Sequence, residues 1–144
     1  MIAPGLDLPT RFVIHAVGPR WSGGENGELE VLYSAYRSSL HLAKENEMNS
    51  IGFPLISAGV FGYPVELAWE RVVRACRDFL GENEGYEMEI TFAVLDEGVK
   101  EIGEGSGGDL RTIPLSLDCK IVWLLVFLYD LWGIKHKLSK KRKI

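Results

Sequence analysis

Apolar positions along this chain change period several times, and each change marks an element. Residues 11 to 17 place Phe12, Ile14 and Ala16 on one face of an extended segment and Val13, His15 and Val17 on the other, which predicts a strand in a sheet covered on both sides. Between about Gly27 and Glu47 the spacing becomes helical. Leu29, Leu32, Tyr33, Tyr36, Leu40 and Ala43 form a stripe, leaving Arg37, His41, Lys44 and Glu45 for solvent. A strand follows at 50 to 56. A second amphipathic helix runs from Pro64 to about Leu80, with Leu67, Ala68, Val72, Ala75, Cys76 and Phe79 inward and Glu66, Glu70, Arg71, Arg74 and Asp78 outward. The hydrophilic turn 81 to 85, a strand at 87 to 95 and a helical start from Asp96 to Gly103 complete the pattern. Strands alternating with helices predict βαβ units, a largely parallel sheet and right-handed crossovers. Ligands of such sheets sit at the carboxyl ends of the strands, where the loops after Val17, Ile56 and Leu95 should open together.

The pattern breaks at residues 103 to 109, Gly-Glu-Gly-Ser-Gly-Gly-Asp, which have the composition of a flexible linker. The expected organisation is a domain at 1–103, a glycine-rich linker at 104–118, and an apolar segment with a basic tail at 119–144. Charge follows the same division. From Arg111 onward there are eight basic and two acidic residues, net +6, and subtracting this from the chain's −4 leaves −10 for residues 1 to 110. An acidic body argues against binding nucleic acid through the folded part, since phosphate backbones attract clustered Lys and Arg. At 144 residues and 47% hydrophobic content, one modest core is affordable. Cys76 and Cys119 are too few and too far apart for a metal or disulfide framework, and the default is free thiols in a reducing compartment. With no secretory leader before the first strand, the body reads as cytoplasmic.

The most informative stretch is Ser50-Ile51-Gly52-Phe53-Pro54-Leu55-Ile56-Ser57-Ala58-Gly59-Val60-Phe61-Gly62-Tyr63-Pro64, an apolar strand entering a glycine turn and then a helix. Gly59 and Gly62 can adopt backbone angles closed to other residues, letting main-chain amides converge without a β-carbon in the way. Pro64 suits the first helical position, which puts the unpaired N–H groups and positive dipole end of the helix just beyond the loop. Such a loop can cradle a phosphate without a lysine. Taken by spacing alone it can equally be an ordinary connection, since two glycines recur in many α/β turns.

This stretch and Pro4-Gly5-Leu6-Asp7-Leu8-Pro9-Thr10-Arg11-Phe12-Val13-Ile14-His15-Ala16-Val17-Gly18-Pro19 closely resemble the macro domain family, over about Pro4 to Asp96 and in the family's order. The resemblance implies a three-layer α/β/α fold, here partial and followed by the hydrophobic and basic extension. It implies an ADP-ribose ligand and kinship with O-acetyl-ADP-ribose deacetylases and ADP-ribosyl hydrolases. By the same resemblance Ser57, Ala58, Gly59, Val60, Phe61, Gly62 and Tyr63 contact the diphosphate and distal ribose, chiefly through main-chain N–H, with Phe61 packing on the distal sugar. No metal and no cofactor are implied. The family's earlier strands, its adenine-recognising aspartate and the asparagine-containing glycine-rich loop that carries the catalytic aspartate have no counterpart before strand 11–17. Leu95 stands where many members place an aromatic on adenine. The expectation is a weak or absent adenosine subsite, no assignable catalytic residue, and little or no activity alone. Neither Asp7, Glu66 nor Asp96 matches a catalytic motif.

The remaining groups have plain expectations. His15 should be a hydrogen-bonded core histidine, Cys76 a small core residue, and Asp96 the cap of the following helix. Strand 11–17, short of neighbours, should leave a sheet edge and apolar surface open to homo- or hetero-association, so an interaction module completed by a partner chain is the competing function. An NAD-dependent oxidoreductase is a poor third reading, since its G-x-G-x-x-G turn and following ribose-binding acidic residue are not found in that arrangement. The run from Ile121 to Tyr129 falls short of the roughly 20 apolar residues a spanning helix needs. It reads as a buried segment or as an interfacial one with Trp123, Tyr129 and Trp132 at the headgroups and Lys135 to Lys143 on anionic lipid, a membrane-surface contact spanning Ile121 to Lys143.

Overall fold

The computed structural model describes residues 1–94 and 96–106, together with the backbone of Leu115–Ser116. The apolar and basic segment 119–144 and the aligned adenine position Leu95 lie outside the described residues. The elements in order are β1 (Ile2–Pro4), β2 (Phe12–Ile14), α1 (Glu28–Glu45), β3 (Ser50–Pro54), α2 (Val65–Glu82), β4 (Glu89–Ala93), α3 (Glu97–Ser106) and β5 (Leu115–Ser116). β3, β4 and β5 form a parallel sheet in that order, and β1 pairs with β2 in a separate antiparallel ribbon. The α/β class and the β3–α2–β4 crossover are as the alternation of periods predicts.

The core is built on a pair of phenylalanines. Parallel pairing sets Phe53 opposite Phe92, so both rings leave the same face of the sheet and stack 5.9 Å apart. Tyr36 of α1 meets them edge-on at 5.2 and 6.4 Å, and Trp69 of α2 meets Phe92 at 5.2 Å. Aromatic edges carry partial positive charge and faces partial negative, so these edge contacts add to the burial of area. Leu32, Tyr36, Leu40 and Ala43 of α1 are wholly buried, and so are Ala68, Val72, Ala75, Cys76 and Phe79 of α2. Burial also pushes the Cys76 thiol up to about 12, the mark of an inert packing residue. On the other face of the sheet Ser50, Gly52 and Glu89 are exposed, while Pro54, Thr91 and Ala93 are half-buried. Of the three layers expected, the described residues thus supply the sheet and the helical layer on the Phe53 side.

Several expectations change. The strand predicted over 11–17 is limited to Phe12–Ile14, and its neighbour is β1, which the pattern did not announce. A local hairpin accounts for this. The Gly5 N–H donates to the Arg11 carbonyl and the Leu8 N–H to the Gly5 carbonyl, both at 2.9 Å, and a β-carbon at Gly5 would stand 2.0 Å from the Thr10 carbonyl oxygen. The ribbon's last amide hydrogen bond is the His15 N–H donating to the Met1 carbonyl at 2.8 Å, and the side chains of His15, Ala16 and Val17 are exposed, Val17 to 68%. His15 is therefore not a core histidine, because no described layer covers its side of the segment. α2 begins at Val65 with Pro64 as its N-cap (φ −58°, ψ 131°) rather than as its first helical residue. α3 does not end at Gly103 but runs to Ser106, and β5 pairs with β4, both features falling within or beside the segment expected to be a linker. Gly103 is the point where α3 meets α2. It is buried against Trp69, whose indole N–H donates to the Val99 carbonyl at 2.9 Å.

Candidate functional site

The loop between β3 and α2 is anchored from below by one tyrosine. The Tyr36 hydroxyl, fully buried, donates to the Pro54 carbonyl at 3.2 Å and accepts from the Ile56 N–H at 2.8 Å, fixing where the strand ends. That burial holds the phenol well above its ordinary pKa, so it remains a donor at every working pH. The loop then turns back on itself. Ala58 N–H donates to the Leu55 carbonyl, Gly62 N–H to the Gly59 carbonyl, and Tyr63 N–H to the Ser57 carbonyl. Two residues take left-handed backbone angles, Ser57 (φ 68°) and Gly62 (φ 67°). For Gly62 this costs nothing, whereas for Ser57 it costs about 1 kcal/mol, the kind of strain that gathers at binding sites. Gly59 has no such angle.

Closure of the loop uses the amides of Ala58, Gly62 and Tyr63 and leaves those of Gly59, Val60 and Phe61 with no acceptor among the described residues. All three residues are exposed, and nothing lies within 4 Å of where a Gly59 β-carbon would be. Successive free N–H groups on a tight turn form a concave positive surface suited to an anion. The start of α2 lies three residues beyond Gly62 and has no side-chain cap, adding its own unpaired N–H groups. Of the seven loop residues expected at the ligand, Gly59, Val60 and Phe61 combine exposure with amides that have no acceptor among the described residues. Ala58 and Gly62 contribute shape. Ser57 points its hydroxyl inward toward Gly18, where it is buried without a hydrogen-bond partner among the described residues. Tyr63 is 2% exposed and belongs to the core beneath the loop.

A second loop, the one following β2, flanks the first, although β2 lies in the antiparallel ribbon and not in the parallel sheet whose carboxyl edge was expected to carry both. Gly18 packs so closely on the β3–α2 loop that a β-carbon there would be 2.2 Å from Ser57 Oγ. The Trp21 N–H donates to the Phe61 carbonyl at 2.9 Å, and the Trp21 ring meets Tyr63 edge-on at 4.8 Å. Asp96, the third candidate at this edge, uses Oδ1 to accept from the Gly98 and Val99 amides at 2.9 and 3.2 Å, which makes it the cap of α3. Neither Trp21 nor Glu28 was singled out by the sequence pattern. Among the described residues no group of three or more His, Cys, Asp and Glu is placed to hold a metal.

Comparison with known proteins gives the family of the chain. The model of the Macro domain family matches residues 1–72, half of the chain. The chain belongs to the Macro domain family. Its macro fold is shared with solved structures. It superposes on the Oceanobacillus iheyensis macrodomain with ADP at a TM-score of 0.69 and 35% identity, covering 74% of this chain and 55% of that one. Against the Trypanosoma brucei macrodomain in complex with ADP-ribose the TM-score is 0.65 and the identity 36%, covering 72% and 43%. Among curated relatives, the O-acetyl-ADP-ribose deacetylase of Salmonella gallinarum is 51% identical over 80 residues, 56% of this chain and 45% of the relative. This macro chain spans about half the length of the curated relatives it matches.

Proposed function

We propose that this chain binds ADP-ribose, with the diphosphate against the amides of Gly59, Val60 and Phe61 and the distal ribose against the Phe61 ring. The observation that carries the reading is the run of three exposed residues whose amides have no acceptor among the described residues, set before a helix start without a side-chain cap. Similarity to a macrodomain in complex with ADP-ribose supports the choice of ligand. Phe61 is 40% exposed at the end of that run, as a stacking surface for a sugar requires. The proposal is one of binding, and the chain alone is read as weakly active or inactive. Hydrolysis of an acetyl or side-chain ester on the distal ribose needs a carboxylate free to position water. Asp96 is committed to capping α3, and no residue is assigned that role.

Titration calorimetry of the full chain with ADP-ribose and with ADP tests this. Binding of ADP-ribose in preference to ADP is expected. A folded sample that takes up neither ligand contradicts the reading and favours the second one, an interaction module. That alternative has its own observation. Val17 and the half-exposed Val31 border an open groove of about 390 Å³ lined also by Glu30, Ser34, Ala35 and Ser38. Concentration-dependent mass by analytical ultracentrifugation is its expected signature.

A further inference from the structure

Glu28 is the most enclosed charged residue of the described chain, 3% exposed at the first position of α1. Its carboxylate is surrounded by donors from one turn. Oε1 accepts from the Ser22 N–H at 3.0 Å, the Ser22 hydroxyl at 2.5 Å and the Gly24 N–H at 3.3 Å, while Oε2 accepts from the Asn26 N–H at 2.7 Å. The Asn26 side chain closes the ring by donating from Nδ2 to Ser22 Oγ at 2.9 Å. Only an ionised carboxylate offers two oxygens that both accept, and an amide in its place would turn an N–H₂ group toward a donor. The turn itself has little stiffness of its own, because Gly23, Gly24 and Gly27 all sit at positive φ (114°, 90° and 76°).

What the turn holds is Trp21. The indole lies over Gly24, where a β-carbon would come within 2.9 Å of the ring, and the same residue grips the β3–α2 loop through the Phe61 carbonyl and the Tyr63 ring. We propose that Glu28 is a positioning residue for ligand recognition, fixing the turn that fixes Trp21 and through it the pose of Phe61. The inference rests on the ADP-ribose reading and deepens it. Glu28 acts on the sugar end of the site and not on the amides of Gly59 and Val60, so its loss should weaken ADP-ribose more than ADP, which has no distal ribose.

The test uses the full chain with Glu28→Gln, and with Ser22→Ala as the milder variant at an exposed residue should the first not fold. Calorimetry should show ADP-ribose affinity falling about tenfold in Glu28→Gln and less in Ser22→Ala, with ADP affinity changed by less than about twofold, the scale of lost charge-assisted hydrogen bonds. Amide hydrogen exchange of residues 57–63, followed without ligand, should quicken in both. Equal losses for the two nucleotides would mean a structural role alone and overturn the inference, as would unchanged exchange in the loop. A wild-type chain that fails to prefer ADP-ribose overturns the binding reading instead, and the exchange measurement then decides for or against Glu28.

Discussion

Gly18 and Ser57 touch so closely that neither tolerates a larger neighbour: a β-carbon on Gly18 would lie 2.2 Å from Ser57 Oγ and 2.4 Å from Ile56 Cγ2. This contact joins the two loops of the site, and Ser57 cannot retreat easily because its backbone is already in the left-handed region (φ 68°). Gly18→Ala should therefore cost about 1–3 kcal/mol, the usual penalty of overpacking, and should weaken ADP-ribose as the β3–α2 loop is pushed outward. Thermal unfolding and calorimetry on the same sample check both effects. Unaltered melting with unaltered affinity would show that the contact is not what holds the loops together.

The two glycines of the ligand loop should behave differently. Gly59 has open space where its β-carbon would be and no positive φ, so Gly59→Leu should leave stability within about 0.5 kcal/mol, as for other surface changes. The same side chain would occupy the concavity over the free amides and abolish ADP-ribose binding. Gly62, at φ 67°, should lose about 1 kcal/mol on replacement by Ala even though its β-carbon meets nothing. Denaturant unfolding separates the pair, and retained affinity in Gly59→Leu would remove this loop from the site.

The helices and the β3–α2 loop were legible because their signals are local. Helical spacing identified Leu32, Tyr36, Leu40 and Ala43 as the buried stripe of α1, and glycine spacing identified a turn whose Gly62 takes the left-handed angle. What escaped depends on irregular turns or on distant partners. Glu28 reads as a solvent residue until the glycine-rich turn two to six positions earlier supplies its donors. Trp69 was left out of the α2 stripe because its burial is provided by Phe92 and by Gly103 of α3, residues far along the chain. His15 failed in the opposite sense. Alternation says only that both sides of a strand are apolar, and cannot say that the covering layer lies among the residues at hand. Ser57 carries no sequence signal for its positive φ, since an ordinary side chain seldom takes that conformation.

Gly103 supplies a test of the α2–α3 contact. In an exposed helix, Gly→Ala normally stabilises by up to about 1 kcal/mol. Here a β-carbon would stand 2.6 Å from two atoms of the Trp69 ring, which is itself pinned by its indole hydrogen bond to Val99 and by packing on Phe92. Strain should outweigh propensity, and Gly103→Ala should destabilise by about 1–3 kcal/mol. The Trp69→Phe background checks the cause: without the larger ring and its hydrogen bond, the same substitution should cost less. A stabilised Gly103→Ala protein would mean that α3 is free to move away from α2.

Acid should act on the same scaffold through Glu28. Its donors, led by the Ser22 hydroxyl, hold the carboxyl at about 2 against an ordinary value of 4.5. A carboxylate with a lowered folded-state pKa binds protons more readily in the unfolded chain, so its stabilising contribution is complete above about pH 4.5 and is lost as pH falls toward 2. Melting temperature measured between pH 6 and pH 3 should therefore fall more steeply for the wild-type chain than for Glu28→Gln, which cannot titrate at this position. The two curves should converge toward the acid end. Parallel curves across the range would show that Glu28 ionises with its ordinary affinity for protons and that the 22–26 turn is held by something other than its charge.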